Sequence, residues 1–146
     1  MNKPANPVET NDNLQEQAMQ RSNTDNAPRS AIHQTLYSAD IFVQHDYLAG
    51  KALPDIARPQ EGQINWLHFV GINDAALLKH ALEPYGIHEL VIEDILSRKQ
   101  RPKIEDYGNY VFTAAQVYHY TTTGKLHSDQ VYVIIGKDFV LSFQQK

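Results

Sequence analysis

The chain has 146 residues, a length that fits one domain with a single apolar core, and 42% of its residues are hydrophobic. Its 17 acidic and 13 basic residues give a formal net charge of -4, which provides no electrostatic footprint for nucleic acid. The absence of cysteine excludes disulfide scaffolds, thiolate zinc sites and cysteine nucleophiles, so a functional site must use oxygen or imidazole groups.

The first thirty residues differ in composition from the rest. They are rich in Asn, Gln, Pro, Ser and Thr, and their larger apolar side chains are Val8, Leu14 and Met19. Such a stretch buries too little surface to offset its ordering entropy, so we interpret residues 1–30 as a flexible tail and residues 31–146 as the folded domain. No window approaches the ~20 apolar residues of a membrane-spanning helix, so we expect no direct membrane insertion.

The folded domain is predicted to begin with strands. Ala31–Tyr37 is predicted to be a half-buried strand, with Ile32 and Leu36 on one side and Gln34 apart from them. A short second strand is predicted at residues 41–43, and the glycines and prolines that follow indicate loops up to the next strand.

A third strand and two helices are predicted next. Ile64–Val70 has the composition of a strand, whereas residues 74–85 carry apolar side chains three and four positions apart, which predicts a helix with one face on a core. A shorter helix is predicted for residues 88–99, before Pro102. The predicted inward positions are Leu77, Leu78, Ala81 and Leu82 in the first helix, and Leu90, Val91, Ile95 and either Leu96 or Ile92 in the second.

The C-terminal part is predicted to be mainly sheet. Tyr110–Tyr120 is rich in β-branched and aromatic residues, residues 121–125 read as a hairpin connection, and residues 130–135 and 139–143 form a second hairpin. This order predicts an α/β fold, a mixed sheet with the two helices packed on one face as an α/β sandwich. The other face is left truncated, without cover, and we interpret this as a sign that the chain is a fragment.

Three carboxylates share little more than one turn of the second helix. Glu89 and Glu93 are four residues apart and lie on one face, and Asp94 sits one position further round. Like charges at this spacing cost a few tenths of a kcal/mol, so a cation, a base or hydration must accommodate them. A structural interpretation pairs Asp94 with Arg98 and places Glu89 where the helix dipole favours an acid. A cation-binding interpretation stays open beside it.

The segment that contains these acids resembles the CorA family of magnesium transport proteins. The family pattern E-D-I followed by Q-R-P-K-x-E-x-Y is matched by Glu93, Asp94 and Ile95, by Gln100, Arg101, Pro102 and Lys103, and by Glu105 and Tyr107. Shorter similarities lie on both sides, so the resemblance covers residue 64 to the end of the chain. The departures are Glu89, where many members have proline, and Tyr132, where serine is common.

The resemblance implies the N-terminal cytoplasmic domain of a homopentameric channel for Mg²⁺ that also passes Co²⁺ and sometimes Ni²⁺. It implies that Glu93 and Asp94 form a regulatory Mg²⁺ site with an acidic residue on the stalk helix of a neighbouring subunit. Ions bound there would favour the closed state of the channel, at the cytoplasmic face of the inner membrane. Mg²⁺ suits such a weak interface site, because it keeps most of its water and is held by one or two carboxylates.

The same resemblance implies that the stalk helix, two transmembrane helices and a Gly-Met-Asn signature lie beyond residue 146. The fragment itself is then expected to be soluble, unable to conduct ions and a weak Mg²⁺ ligand. The rest of the motif is assigned structural roles, in which Pro102 ends the helix and Arg101 and Lys103 neutralise nearby acids such as Glu105. The residues in this structural set are Gln100, Arg101, Pro102, Lys103, Glu105 and Tyr107.

Two alternatives to this function stay open, and two other kinds of function are not expected. The ZntB-type zinc transporters resemble CorA in architecture, and a standalone scaffold domain is a further alternative. An enzyme is not expected, because Glu93 and Asp94 diverge by about 100° on a helix and no nucleophile, phosphate-loop or dinucleotide motif is present. A preformed imidazole site is not expected either, because the seven histidines fall in different elements without H-x₃-H or HExxH spacing. They are His33, His45, His68, His80, His88, His119 and His127.

Overall fold

A computed structural model describes residues 30–48 and 52–145 of the chain. Almost all of the predicted tail lies outside the described residues, so its flexibility and the division at residue 30 stay predictions. The described part contains seven strands, two α-helices and a single turn of 3₁₀ helix. The elements are β1 (Ala31–Tyr37), β2 (Phe42–Leu48), β3 (Ile64–Val70), α1 (Ala75–Leu82), the 3₁₀ turn (Glu83–Tyr85), α2 (Glu89–Ser97), β4 (Lys103–Asp106), β5 (Tyr110–Tyr120), β6 (Leu126–Gly136) and β7 (Phe139–Gln144).

All seven strands form one mixed sheet in the order β2-β1-β3-β7-β6-β5-β4. The neighbours β3 and β7 run parallel, and every other pair is antiparallel. A parallel pair cannot be joined by a tight turn, so the chain between β3 and β7 includes both helices and three strands. The predicted α/β class with a mixed sheet is confirmed.

The strands differ from the prediction at three places. Strand β2 extends through Leu48 rather than ending at residue 43, and β6 begins at Leu126, ahead of the predicted residue 130. Strand β4 was not among the predicted elements. Its sequence Lys-Ile-Glu-Asp is charged, as is typical of a short edge strand, and only backbone pairing with β5 identifies it.

The helices begin and end near the predicted positions. Asp74 caps α1, since its Oδ1 accepts a hydrogen bond from the backbone N–H of Leu77 at 3.0 Å. Gly86, at φ 61°, ends the 3₁₀ turn in the left-handed conformation that glycine adopts without strain. Helix α2 is capped by His88 and stops at Ser97, two residues before the predicted end.

Both helices pack their apolar stripes on the same face of the sheet. The buried helical residues are Leu78, Ala81, Leu82, Val91, Ile92 and Ile95. They share one core with strand residues such as Phe69 and Phe143, whose rings stack with centroids 4.9 Å apart. The prediction that Leu90 faces inward is wrong: its side chain is 57% exposed, because it lies on the outer side of the first turn of α2.

A buried polar network lies within this core. The amide Nε2 of Gln34 donates to the carbonyl oxygen of Ala57 at 2.7 Å and to Oδ1 of Asn65 at 2.9 Å. Its Oε1 accepts a hydrogen bond from the Tyr47 hydroxyl at 3.0 Å, and Asn65 Nδ2 donates to the Tyr85 hydroxyl at 2.7 Å. Gln34 and Asn65 are thus buried with partners, as buried amides require.

The predicted orientation of Gln34 is wrong. Residues two apart on a strand share a face, so Gln34 lies with Ile32 and Leu36 rather than apart from them, and all three are buried.

The opposite side of the sheet has no helix against it among the described residues. We call it the uncovered face and define it by the side chains of Trp66, Ile104, Val117 and Ile135. These apolar side chains are 43% to 75% exposed. The predicted arrangement, with both helices on one face, is therefore the observed one. No helix within residues 30–48 and 52–145 has the length and hydropathy needed to cross a membrane.

Candidate functional site

Helix α2 carries the three predicted carboxylates, and the structure gives each a different environment. Glu89, in the first turn, forms an ion pair with Lys79 of α1. The hydrogen bond and charge of Lys79 hold the pKa of Glu89 below its ordinary value, and Glu89 in turn raises the pKa of Lys79. Both side chains are exposed, so this pair links the two helices at the surface.

Asp94 points toward β4 and is held by two side chains. Its Oδ2 lies 2.7 Å from Lys103 Nζ, and its Oδ1 accepts a hydrogen bond from Gln100 Nε2 at 2.8 Å. The predicted pair between Asp94 and Arg98 is not formed. Helix α2 ends at Ser97, and Arg98 adopts φ 58°, so the i, i+4 spacing of a continuous helix does not apply.

Lys103 bridges two carboxylates from neighbouring elements. Its Nζ lies 2.7 Å from Asp94 on α2 and 3.0 Å from Oε2 of Glu105 on β4, and 5.5 Å from the ring centroid of Phe112. The hydrogen bond with Asp94 is the largest cause of a raised Lys103 pKa, with a further contribution from Glu105. The ammonium therefore occupies the position between two acids that a bound cation would otherwise neutralise.

Glu93 differs from Asp94 in being exposed. Within the described residues its side chain has no hydrogen bond or ion pair, although its charge contributes a little to the raised pKa of Lys79. Asp94, in contrast, contacts Lys103 on β4. In the described part of the chain no three His, Asp or Glu side chains are already positioned as a metal site. Of the three carboxylates, Glu93 is the one without a hydrogen bond or ion pair in the described residues.

Gln100 attaches the segment after α2 to the sheet. Its backbone N–H donates to Oε1 of Gln130 at 3.1 Å, and Nε2 of Gln130 donates to the backbone oxygen of Gln100 at 2.5 Å. Pro102 lies between this anchor and β4, and Arg101 is exposed without an ion pair in the described residues. These contacts fix the position from which Gln100 reaches Asp94.

Tyr107 extends the same set of contacts beyond β4. Its hydroxyl donates to Oε2 of Glu105 at 3.3 Å, and its ring stacks on Tyr110 with centroids 5.0 Å apart. Burial and the charge of Glu105 raise the pKa of Tyr107. Gln100, Glu105 and Tyr107 are therefore linked through contacts around Lys103 and Asp94.

Two predicted roles are not seen in the described residues: Arg101 has no ion pair, and α2 ends at Ser97 with Arg98 in the left-handed conformation, before Pro102 is reached. The structural roles of the other motif residues stay predictions.

Tyr132 lies beneath this site and was singled out from the sequence only as a departure from the serine of many relatives. Its side chain is fully buried, and its hydroxyl has no hydrogen-bond partner among the described residues. Burial raises the pKa of Tyr132, with a smaller contribution from the charge of Asp94. The ring fills the core next to Phe112, with centroids 6.1 Å apart.

Comparisons with known proteins relate this chain to one family. The family described as "CorA-like Mg2+ transporter protein" matches residues 61–146. The cobalt/magnesium transport protein CorA of Thermotoga maritima is 42% identical over 82 residues, which are 56% of this chain and 23% of that protein. The chain therefore spans about a quarter of the length of this relative.

Solved structures share the fold at low sequence identity. The CorA magnesium transporter of Methanocaldococcus jannaschii is 9% identical, with a TM-score of 0.55 over 80% of this chain and 32% of that one. The cytoplasmic domain of ZntB from Vibrio parahaemolyticus is also 9% identical, with a TM-score of 0.54 over 81% of this chain and 45% of that one. At such identities the match establishes the fold alone.

Proposed function

Because the chain belongs to the family of CorA-like Mg²⁺ transporter proteins, we propose that it is the N-terminal cytoplasmic regulatory domain of a Mg²⁺ and Co²⁺ transporter. The observation that carries this proposal is the family match over residues 61–146, supported by the 42% identity to a cobalt/magnesium transport protein. The family is one of transporters rather than enzymes, which confirms the expectation that the chain is not an enzyme. Since the chain spans 23% of that relative, the proposal concerns a longer protein of which it is one part.

The proposed role of this domain is to sense divalent cations for the gate of a homopentamer at the cytoplasmic face of the inner membrane. Glu93 presents an exposed carboxylate on α2, and the adjacent Asp94 is partly exposed where it contacts Lys103. Hydrated Mg²⁺ bound by Glu93 and Asp94, and by an acidic side chain on the stalk of a neighbouring subunit, would bridge two subunits. Mg²⁺ requires only one or two carboxylates and keeps its remaining waters, so such a site releases the ion when its concentration falls.

The contacts of Asp94 support a weak site in the isolated chain. Lys103 already neutralises Asp94 at 2.7 Å, so an ion must either replace this ammonium or bind through water and Glu93. A ligand stabilises only the state that it binds better, so the ion favours the closed channel only if a neighbouring subunit completes the site. We therefore expect the 146-residue chain alone to bind Mg²⁺ no more tightly than the millimolar range.

Protection of the full-length protein from limited proteolysis, measured against Mg²⁺ concentration, tests this role. The double variant Glu93→Gln with Asp94→Asn removes both charges, and we expect it to need at least about tenfold more Mg²⁺ for half-maximal protection, equivalent to about 1.4 kcal/mol. The control variant Glu89→Gln changes an acid of the same helix that is held by Lys79, and it should leave the midpoint unchanged. An unchanged midpoint in the double variant would rule out the sensor role.

A ZntB-type zinc transporter is the second candidate, because the cytoplasmic domain of ZntB shares the fold with a TM-score of 0.54. The 42% identity to a cobalt/magnesium transport protein favours the first candidate, since the similarity to the ZntB domain is one of fold alone. Uptake of Mg²⁺, Co²⁺ and Zn²⁺ by cells that express the full-length protein distinguishes the two. Uptake of Zn²⁺ alone would support the ZntB type, and uptake of none of these ions would favour a standalone scaffold domain.

A further inference from the structure

The far end of the β5–β6 hairpin brings two histidines together. We call residues 116–130 the hairpin arm, because there β5 and β6 pair with each other and not with β4 or β7. In this arm His119 lies directly opposite His127, with ring centroids 5.3 Å apart in an edge-to-face arrangement. Asp129 is two residues beyond His127, so its side chain lies on the same face. The two histidines lie in different elements, as the sequence indicated, but the register of β5 and β6 makes them neighbours.

The carboxylate of Asp129 lies between the two imidazoles. Its Oδ2 is 3.6 Å from Nδ1 of His119, and its Oδ1 is 3.4 Å from Nε2 of His127. Both separations exceed the usual range of an N–H···O hydrogen bond. Each separation is close to the distance of about 3.4 Å between two ligand atoms of a tetrahedral ion with bonds of about 2.1 Å. The two separations involve different oxygens, so Asp129 must rotate to bind an ion through one of them. Two imidazoles on one such ion have ring centroids about 5 Å apart by the same geometry, close to the observed separation.

From this arrangement we propose that His119, His127 and Asp129 bind a divalent transition-metal ion such as Zn²⁺, Co²⁺ or Ni²⁺. Imidazole nitrogens suit these ions, whereas Mg²⁺ prefers an all-oxygen site. The site is therefore distinct in chemistry and position from the Mg²⁺ role proposed for Glu93 and Asp94, and neither proposal depends on the other. A transition-metal ion would cross-link the two strands of the hairpin arm.

The three side chains are open to solvent. His119 and His127 are 48% and 44% exposed, and Asp129 is 22% exposed, so an ion can enter and keep water as its remaining ligand. Since the described residues contain no ready group of three metal-ligating side chains, the site closes by side-chain rotation when the ion arrives. The backbone does not have to move, because the register of β5 and β6 already aligns the three residues.

A second cross-strand histidine pair provides a matched control. His33 on β1 lies opposite His68 on β3, with stacked rings and centroids 6.1 Å apart. Nδ1 of His33 lies 2.6 Å from Asp46, and Nδ1 of His68 lies 2.8 Å from the Ser142 hydroxyl. Each ring therefore has a partner of its own, and no carboxylate lies between the rings as Asp129 does in the hairpin arm.

Titration of the purified chain, without a histidine tag, tests the proposal by calorimetry with Zn²⁺ and by the visible absorption of Co²⁺. We expect one ion per chain and a Co²⁺ spectrum of low coordination number. His119→Ala and His127→Ala should each weaken Zn²⁺ binding at least about tenfold, and Asp129→Asn should weaken it less. His33→Ala with His68→Ala should leave Zn²⁺ binding unchanged, as should excess Mg²⁺.

The outcomes separate metal binding from a loss of folding. The milder variants His119→Gln and His127→Gln keep a polar side chain at the same positions, and near-wild-type thermal unfolding without metal shows that the fold is intact. Zn²⁺ should raise the unfolding temperature of the wild type and not that of these variants. Full Zn²⁺ affinity in the hairpin variants, or a loss seen only in the His33 and His68 double variant, would overturn the proposal.

Discussion

A single ammonium group connects α2 to the edge of the sheet. Lys103 lies between Asp94 and Glu105, and its side chain is 28% exposed, so solvent screens these contacts only in part. Ion pairs of this kind contribute about 1 kcal/mol when partly exposed, and removing the cation leaves two acids close together. Because α2 presents Glu93 and Asp94, Lys103 also orients the proposed sensor helix.

Replacement of the cation tests this contribution. We expect Lys103→Met to lower the free energy of unfolding by about 1 kcal/mol at neutral pH. The pKa of Lys103 is raised by Asp94 and Glu105, so its stabilisation is complete below the ordinary lysine value of 10.5 and disappears as the pH rises through the folded value. The difference between wild type and variant should therefore shrink at strongly alkaline pH in urea denaturation.

The control for this experiment is Lys125→Met. Lys125 is exposed beside the turn between β5 and β6, and it has no ion pair within the described residues. It should change stability little at any pH. Equal losses in the two variants, or a loss for Lys103→Met that grows in alkali, would contradict the bridging role.

A contact between two residues of one helix could be predicted from their spacing only where the helix continues through both of them. Asp94 was expected to pair with Arg98, four positions on, but the helix ends at Ser97 and the partner is Lys103 on the next strand. The pairing of His119 with His127 was not predicted either. Both lie four positions from residue 123 in the hairpin connection, so a symmetric register would have indicated it.

At the scale of the elements, the strongly patterned segments were predicted well. β1, β3 and β5 have the predicted bounds, and α1 and α2 end within a few residues of theirs. β4 was missed because its four residues are mostly charged and it exists through pairing with β5. The polar start of β6 was missed for the same reason, since it carries no apolar alternation and is held by its partner strand.

The turn between β6 and β7 requires a glycine at position 136, because the ring of Phe139 occupies the space of a side chain there. A Cβ on Gly136 would overlap the ring of Phe139, which packs on Tyr85 with centroids 4.8 Å apart. Gly136→Ala should therefore displace that ring and lower the free energy of unfolding by about 2 kcal/mol, as overpacking does. Thermal or chemical denaturation measures the loss.

Gly124→Ala is the matched glycine control, at the other hairpin connection. Gly124 has φ 75° and no atom within reach of an added Cβ, so its replacement should cost only the left-handed backbone strain of about 1 kcal/mol. If Gly136→Ala costs less than Gly124→Ala, the packing of Phe139 against Gly136 is not what shapes the turn.

At the scale of the whole molecule, the sheet has two unlike faces. One packs on the helices, and the uncovered face exposes an apolar area around Trp66 and Ile135. The order of the strands could not be predicted, because the parallel pairing of β3 with β7 joins segments about 75 residues apart and no local pattern records it. Alternating apolar residues indicated which segments are strands, but not which strands lie next to each other in the sheet.

An exposed apolar face predicts self-association of the isolated chain. In sedimentation velocity, the average sedimentation coefficient of the wild type should rise with concentration. Ile135→Glu, in the centre of the uncovered face, should weaken association about tenfold, because burying a half-exposed isoleucine contributes about 1.5 kcal/mol.

Leu90→Glu is the comparison, since Leu90 is 57% exposed on the helical side against 52% for Ile135. It should leave association unchanged. Equal effects of the two variants would show that the uncovered face has no special part in association, and an unchanged wild-type coefficient at every concentration would show that the chain stays monomeric.

The amide network of Gln34 and Asn65 limits how the first strand can assemble. A strand that slides by two residues keeps its apolar side chains on the same face, so apolar contacts alone distinguish such registers only weakly. If β1 slid by two residues against β3, Ile32 or Leu36 would replace Gln34, and Asn65 Oδ1 and the backbone oxygen of Ala57 would lose their donor in the core. Gln34 thus specifies the register of β1. A misaligned strand leaves buried polar groups without hydrogen bonds, and this cost favours the single alignment seen here.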